Sequence, residues 1–480
     1  MRKLKYILIS VIVLFAACSD DDSDGGPDIP NPPVEDEIEL AKKEMRAVWI
    51  STAWGLDWPD GVYDMATQKQ KYINYLEKFK ELNINTVIVQ IRPMADAFYK
   101  SSLEPWSVSI TGTPGKDPGY DVLQFMIEEA HKRDIEFHAW MNPYRIASRA
   151  NESASFVYAP DHIIRQHPEW TMVYANLLLY NPARPEVHEH LLKIVDEVIT
   201  KYDVDGIHFD DYFYPEPVSG KVLDDAEDYK SYGVGYNTVE DFRRGNVNKV
   251  IKSIGELIVQ KKPGVLFTIS PAANKDHNYN NLYADVTLWC QEGWIDIVMP
   301  QLYMSTGSTF TTYVAWWPQF SYKAVPMIGY GLYKFGDSSI TDPLFQTTRE
   351  LENQFQQANR QSKIKGSAMY RAKSIMENKI GIANTLSNIY ADQAVIPFIG
   401  RKTVADPAPV SNVSISGSKL TWAVGNNLRT IIYKVENKKA KVIAITAEKS
   451  FTLTQKGDYC LTTINIDNLE SSISDIITYK

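Results

Sequence analysis

Cysteine is scarce in this chain: three residues in 480, at positions 18, 290 and 460. Cys290 and Cys460 fall in different modules by the reading below, so no disulfide framework is expected and both read as small buried residues. Neither CxxC nor HExxH occurs, so a zinc site has no support. Positive charge is outnumbered, 50 Lys and Arg against 59 Asp and Glu, for a net charge of -9. A nucleic-acid binder would carry a basic face, and none is evident. Long apolar runs are also missing. The nearest candidate, "ILISVIVLFAAC" at the N-terminus, is too short for a stable bilayer span. No glycine-rich loop follows an apolar strand, which speaks against nucleotide-binding forms of an open doubly wound sheet. A GxSxG elbow or Cys–His pairing, the mark of a serine or cysteine hydrolase, is likewise absent.

Aromatic residues, by contrast, are plentiful, with 28 Tyr and 11 Trp. Most such rings pack in cores, but flat rings also stack on the apolar faces of sugars. At the N-terminus, basic "MRKLKY" precedes the short apolar run, and small residues stand directly before Cys18. This reads as a signal peptide over 1–17. It resembles a bacterial lipoprotein signal, with Phe15 where that pattern usually has Leu, and the resemblance implies lipidation of Cys18. The following "SDDDSDGG" resembles an acidic surface-export signal of such lipoproteins. Residues 18–43 then read as an Asp-, Pro- and Gly-rich tether. The expected location is the outer membrane, facing the cell surface or the periplasm.

From residue 44 to 397 apolar runs alternate with amphipathic stretches. The runs are "RAVWIST", "NTVIVQIRP", "IEFHAWMNPYR", "VDGIHFDDY", "VLFTISP", "IDIVMPQLY", "VPMIGYGLY" and "IKGSAMYR". Helical spacing of apolar residues separates them, as in Tyr72, Ile73, Leu76, Phe79 and Leu82. Eight such strands predict an α/β fold, a (β/α)8 TIM-type barrel, over an open doubly wound sheet. After a linker at 398–409, short alternating strands over 410–480 predict a small all-β sandwich. That module resembles fibronectin type III, with Trp422 and Tyr459 at the matching core positions. It is expected as a spacer or packing partner.

In such a barrel the chemistry sits at the carboxyl ends of the strands. Those ends carry Gln90 and Arg92; Asn142, Tyr144 and Arg145; Asp210 and Asp211; Gln301 and Tyr303; Tyr330; and Tyr370 and Arg371, with Trp54 in the loop after the first strand. Adjacent acids beside apolar residues, as in "VDGIHFDDYFYP", are costly unless something uses them. The segments "EMRAVWIST", "NTVIVQIRPMADAFYKSSLEPWS", "GYDVLQFMIEEAHKRDIEFHAWMNPYR", "NPARPEV", "VDGIHFDDYFYP" and "DIVMPQLY" together resemble the glycosyl-hydrolase-like 10 family, over roughly residues 44 to 390. The resemblance implies a barrel related to glycoside hydrolases and cleavage of cell-wall glycan strands stripped of their peptides. It also implies that Asp210 and Asp211 lie in the site, with Arg92, Asn142 and Gln301 around them.

Glycosidic cleavage generally uses two carboxyl groups, about 5 Å apart for retention and about 6.5–9.5 Å for inversion. Strand alternation puts His208 and Asp210 on one face, with Asp211 at the turn beyond. One reading takes the second carboxylate from another strand, with Glu104 in "SSLEPWS" as first candidate and Asp285 and Glu292 weaker. The other uses the tandem acids alone: one protonates the leaving oxygen, and the other orients the substrate's own acetamide or the oxocarbenium ion, as in N-acetylhexosaminidases of family 20. The strand also resembles the chitinase "DGxDxDxE" pattern, but His208 replaces an Asp and Tyr212 the catalytic Glu. Arg92 is expected to hold an Asp ionised or bind a sugar carboxylate, and Asn142 and Gln301 to bind hydroxyls or an acetamide. Trp54, Tyr144, Tyr303 and Tyr370 are expected to stack on pyranose faces, and His208 to orient Asp210 or pack in the barrel. The expected partner is a glycan, with the membrane reached through the lipid and no nucleic acid. The chain is expected to be a monomer without metal or cofactor. The rivals are a carbohydrate-binding lipoprotein without turnover, a peptidase or esterase, and a calcium or magnesium site on Asp210 and Asp211.

Overall fold

The computed structural model describes residues 38–147, 159–400 and 404–480. The signal segment, Cys18 and most of the expected tether lie outside the described residues. Eight strand positions form a ring: β1 (Met45–Ile50), β2 (Thr86–Arg92), β3 (Glu136–Met141), β4 (Gly206–Phe209), β5 (Leu266–Ile269), β6 (Ile297–Val298), β7 in two pieces (Val325–Pro326 and Ile328–Gly331) and β8 (Gly366–Tyr370). Every neighbouring pair within the ring is parallel, and β1 lies between β2 and β8. The two pieces of β7 stand at the two ends of the hydrogen-bonded order. They adjoin along the chain, and a bridge from Gln301 to Gly329 continues the β6 pairing onto the second piece. The (β/α)8 reading therefore holds.

Alternation along the strands separates two cores. Met45, Ala47, Trp49, Ile88, Trp140, Ile297, Met299, Met327 and Ala368 fill the lumen. The intervening residues, such as Val48, Val87, Phe137, Ile207 and Phe267, meet the surrounding helices. With both faces covered, these strands read as continuous apolar runs, which is why they were visible in the sequence. Helix 65–81 shows the local logic. Asp64 caps it by accepting from Thr67 N, and it buries Tyr72, Tyr75, Leu76 and Phe79 against the sheet. Gly329 in β7 has no side chain because Pro300 O and the Trp49 ring occupy the place a Cβ would take, at 3.0 and 3.1 Å. The Trp49 indole is thereby seated across the lumen.

Residues 411–479 form a three-stranded and a four-stranded antiparallel sheet, an arrangement consistent with the expected sandwich. Leu420, Trp422, Ile432, Tyr459 and Leu461 make its core. Glu39–Lys480 is one compact unit. The sheets meet the barrel at the amino-terminal ends of its strands. Asn468 donates to Glu136 at the start of β3 (2.7 Å), and Arg429 pairs with the adjacent Asp134 (3.6 Å). Lys43 Nζ stands 2.8 Å from the buried Glu470 carboxylate. Two boundaries need correcting. Glu39 pairs with the 438–440 strand and Lys43 with Val395, so these residues belong to the folded unit and not to a tether. Ile399, expected in the linker, is buried against the lumen residues.

Candidate active site

The tandem aspartates follow β4, on the face opposite the sandwich. Asp210 is 3% exposed. Its Oδ2 accepts from Trp140 Nε1 (3.1 Å) and Asn142 Nδ2 (2.8 Å), and its Oδ1 from the Tyr212 backbone N–H (3.2 Å). Asp211 is half-buried and accepts from Gln301 Nε2 (3.0 Å), which also donates to Ser270 O (2.9 Å). Burial, with the Asp211 charge alongside, pushes Asp210 up to about 7. Burial also raises Asp211. Two adjacent carboxyls in such surroundings hold a proton between them near neutral pH. Arg145 is the cation that opposes this, favouring the ionised form of both. Its guanidinium lies 4.5 Å from the Tyr212 ring and 5.4 Å from that of Trp54.

Rings surround the open side of Asp211. Tyr303 and Tyr370 stack at 5.7 Å and 16°, and Tyr333 meets both edge-on. Tyr212 is 47% exposed and Trp54 60%. Trp54 is held in the left-handed region at φ 53°, uncommon for so large a side chain. Its loop is fixed by Gln90, whose Oε1 accepts from Thr52 N (3.1 Å) and Ala53 N (2.9 Å). Beyond Tyr370 lies a cavity of about 410 Å³, lined by Leu56, Tyr333, Arg371 and Lys373 among others. The aspartates do not line it.

Four expectations are corrected, and His208 keeps only the packing role expected of it. Glu104 is sealed from solvent, its carboxylate clamped by Arg92 Nε (2.6 Å) and Nη2 (2.5 Å), so it does not face the groove. Arg92 holds Glu104 and the carbonyls of Asn142 and Pro143, and its hydrogen bonds go to these and not to Asp210 or Asp211. A register irregularity between Gln90 and Arg92 breaks the alternation that would have aimed it inward. Tyr144 is buried and offers no stacking face. Asn142 is equally buried and positions Asp210 instead of meeting substrate. His208 is sealed too, its ring filled on both sides. Nδ1 lies 2.7 Å from Thr268 Oγ1, and Nε2 lies 3.1 Å from Trp49 Nε1 and 2.9 Å from Ser270 Oγ. An indole N–H only donates, so Nε2 is the acceptor and the ring is neutral. Burial pushes His208 well down, in keeping with that state. Asp211, Gln301, Tyr303 and Tyr370 are partly exposed and Trp54 is exposed. Trp140 and Arg145 were not assigned roles from sequence. A strand tryptophan reads as core, and its indole donation is a tertiary contact without a local signal.

Asp285 caps a helix through Leu288 N, and Glu292 is exposed at that helix's end, so neither joins the aspartates. Among the described residues no group of three or more His, Cys, Asp or Glu is gathered to hold a metal ion, and no helix is long and apolar enough to cross a membrane. Cys290 and Cys460 are buried and unbridged.

The buried acids also set the pH dependence of stability. Burial raises Asp57 and Asp96 each to about 6, whereas the Arg92 charge outweighs burial and holds Glu104 at about 2. The raised groups bind protons in the folded chain that the unfolded chain has released. These two groups therefore add stability as pH falls through about 6, while the buried neutral His208 takes stability away below its ordinary value of about 6.5. The Glu104 contribution is present above about 4.3 and is lost only below it. Replacing both groups, Asp57→Asn with Asp96→Asn, is expected to remove the stability the parent gains from them as pH falls through about 6, and an unchanged pH profile of the urea midpoint would count against these assignments.

Residues 44–334 match the family described as Glycosyl hydrolase-like 10. Glycosyl hydrolase YngK of Bacillus subtilis (strain 168) is 40% identical over 379 residues, 74% of this chain and 73% of the relative. Glycosyl hydrolase DigH of Escherichia coli (strain K12) is 31% identical over 404 residues, 76% of this chain and 91% of the relative. The match spans more than half the chain and includes the strand that carries the aspartates, so the chain belongs to the glycosyl hydrolase-like 10 family.

Proposed function

We propose that this chain is a glycoside hydrolase acting on a glycan that contains N-acetylhexosamine, peptide-free peptidoglycan strands foremost. The observation that carries the reading is the adjacent aspartate pair at the carboxyl end of β4, sealed on the Asp210 side and partly open on the Asp211 side, with aromatic side chains nearby. Asp211 protonates the departing glycosidic oxygen from its open edge. As the pair gives up its one proton through Asp211, Asp210, held by Trp140 and Asn142, carries the negative charge that stabilises the oxocarbenium-like transition state. Gln301 fixes the Asp211 rotamer, and its remaining oxygen is an acceptor for a substrate amide N–H or hydroxyl. Trp54, Tyr303 and Tyr370 supply stacking faces.

The test is mass spectrometry of products from peptide-free strands and from other N-acetylhexosamine polymers. Fragments that each gain one water are expected. Affinity without fragments would favour a carbohydrate-binding lipoprotein. We further propose that lipidation of Cys18 anchors the chain at the outer membrane, with the barrel as the catalytic domain and 410–480 as a fibronectin type III-like support. Intact-mass measurement of the purified N-terminal peptide checks the lipid.

A further inference from the structure

The pair accounts for an acid and a stabilising charge, but a water that attacks the sugar also needs a base. Glu104 is excluded by its clamp to Arg92. Other acids near the strand ends are taken up elsewhere. Asp57 is buried under Ser51 N, and Asp225 is bound on both oxygens by Arg243. Glu350 is fixed to Thr306.

Glu216 differs. It stands five positions after Asp211, with its carboxylate open to solvent. Its loop is nevertheless anchored at three points. Phe213 packs on Trp289 (5.2 Å), Tyr214 packs on Tyr283 (5.1 Å), and Val218 N donates to Tyr174 OH (2.8 Å). Both Glu216 oxygens lie within 2.9–3.0 Å of His277 Nε2. His277 is itself fixed, because Asn274 caps its helix and Asn278 binds the Ala272 backbone on both sides. The same post-β5 segment supports Asp211, since Gln301 bonds both Asp211 and Ser270 O and bridges to Ala272. The two acids therefore lean on one piece of backbone, and the Glu216 charge is felt at Asp211.

We propose that Glu216 is the catalytic base and His277 the residue that positions it. This rests on the hydrolase reading above. In the step, water oxygen bonds to the anomeric carbon as the glycosidic C–O bond breaks. The water's proton passes to Glu216, and the aspartate proton passes to the leaving oxygen. The free glycan end emerges with inverted configuration, and solvent restores both protonation states.

The test uses the full chain and peptide-free glycan strands. Glu216→Gln is expected to lower kcat by about 100-fold or more with KM little changed. Azide is expected to restore turnover to Glu216→Ala and to yield a glycosyl azide of inverted configuration. His277→Ala is expected to lose about 10-fold in kcat, with much of that recovered in His277→Gln, which keeps a donor. An exposed ion pair contributes little to folding, so the melting temperature of Glu216→Gln should match the parent, which separates catalysis from structure. Two results would overturn the assignment while leaving the hydrolase reading intact: normal turnover in Glu216→Gln alongside a dead Asp211→Asn, or a first product of retained configuration. Failure of the parent chain to cut any glycan would remove both.

Discussion

Asp211→Asn and Asp210→Asn should each lower turnover on glycan strands by about 100- to 10,000-fold, the range that removal of a general acid or of a charge facing the transition state produces. Asparagine keeps the shape of either side chain, so the loss reports chemistry and not packing. Asp211→Asn removes the proton that the open edge delivers. At position 210 the amide oxygen can still accept from Trp140 and Asn142, but the new NH2 faces the Tyr212 N–H where Oδ1 accepted before. Folding should respond in the opposite sense. Asp210 is buried and raised to about 7, so above that pH the chain carries a buried charge that an amide abolishes. The parent's urea midpoint should therefore fall further between pH 6 and pH 8 than that of Asp210→Asn, which is catalytically dead. Turnover within a few-fold of the parent in both variants would take the pair out of the mechanism.

The largest stability effect is expected at Arg92 and Glu104. Both side chains are fully shielded from solvent. Arg92→Leu strands a buried carboxylate, and Glu104→Leu strands a buried guanidinium; each is expected to cost about 3–5 kcal/mol in urea unfolding. The double change Arg92→Met with Glu104→Leu should recover much of that, because it removes the uncompensated charge along with its partner. Activity should fall with the single changes as well. Arg92 holds the Asn142 and Pro143 carbonyls, and Asn142 holds Asp210, so loosening the pair releases the aspartate from behind. If either single variant unfolded like the parent, the clamp would have no structural weight.

Parts of this were legible in the sequence for physical reasons. Ring strands buried on both faces leave apolar runs, and β1 and β2 could be placed to within a residue or two, whereas the third run, "IEFHAWMNPYR", overshoots the end of β3 at Met141 by four residues. β6 is only Ile297–Val298, and nothing local separates two paired residues from the longer run "IDIVMPQLY". Helix 310–320 contains Pro318 and three neighbouring aromatic residues, a pattern that does not read as helix. The short antiparallel sheet over 145–147, 171–174 and 177–180 interrupts the alternation without a turn signal strong enough to show it. In the site, the adjacent acids stood out because their solvation cost is a local property. Glu104 was misread because a loop acid after the second strand can reach the barrel mouth as far as its position in the chain tells, whereas its burial depends on an arginine twelve positions earlier and a helix far along the chain. Glu216 gave no signal of its own, since its orientation is supplied by His277 from another strand's loop.

The most direct test of the central claim is the pH dependence of kcat/KM for glycan-strand cleavage between pH 5 and 9. A descending limb centred near 7 is predicted, where the proton shared by Asp210 and Asp211 is lost. A rate that stays constant across that range, or strands left uncut at every pH, would contradict it.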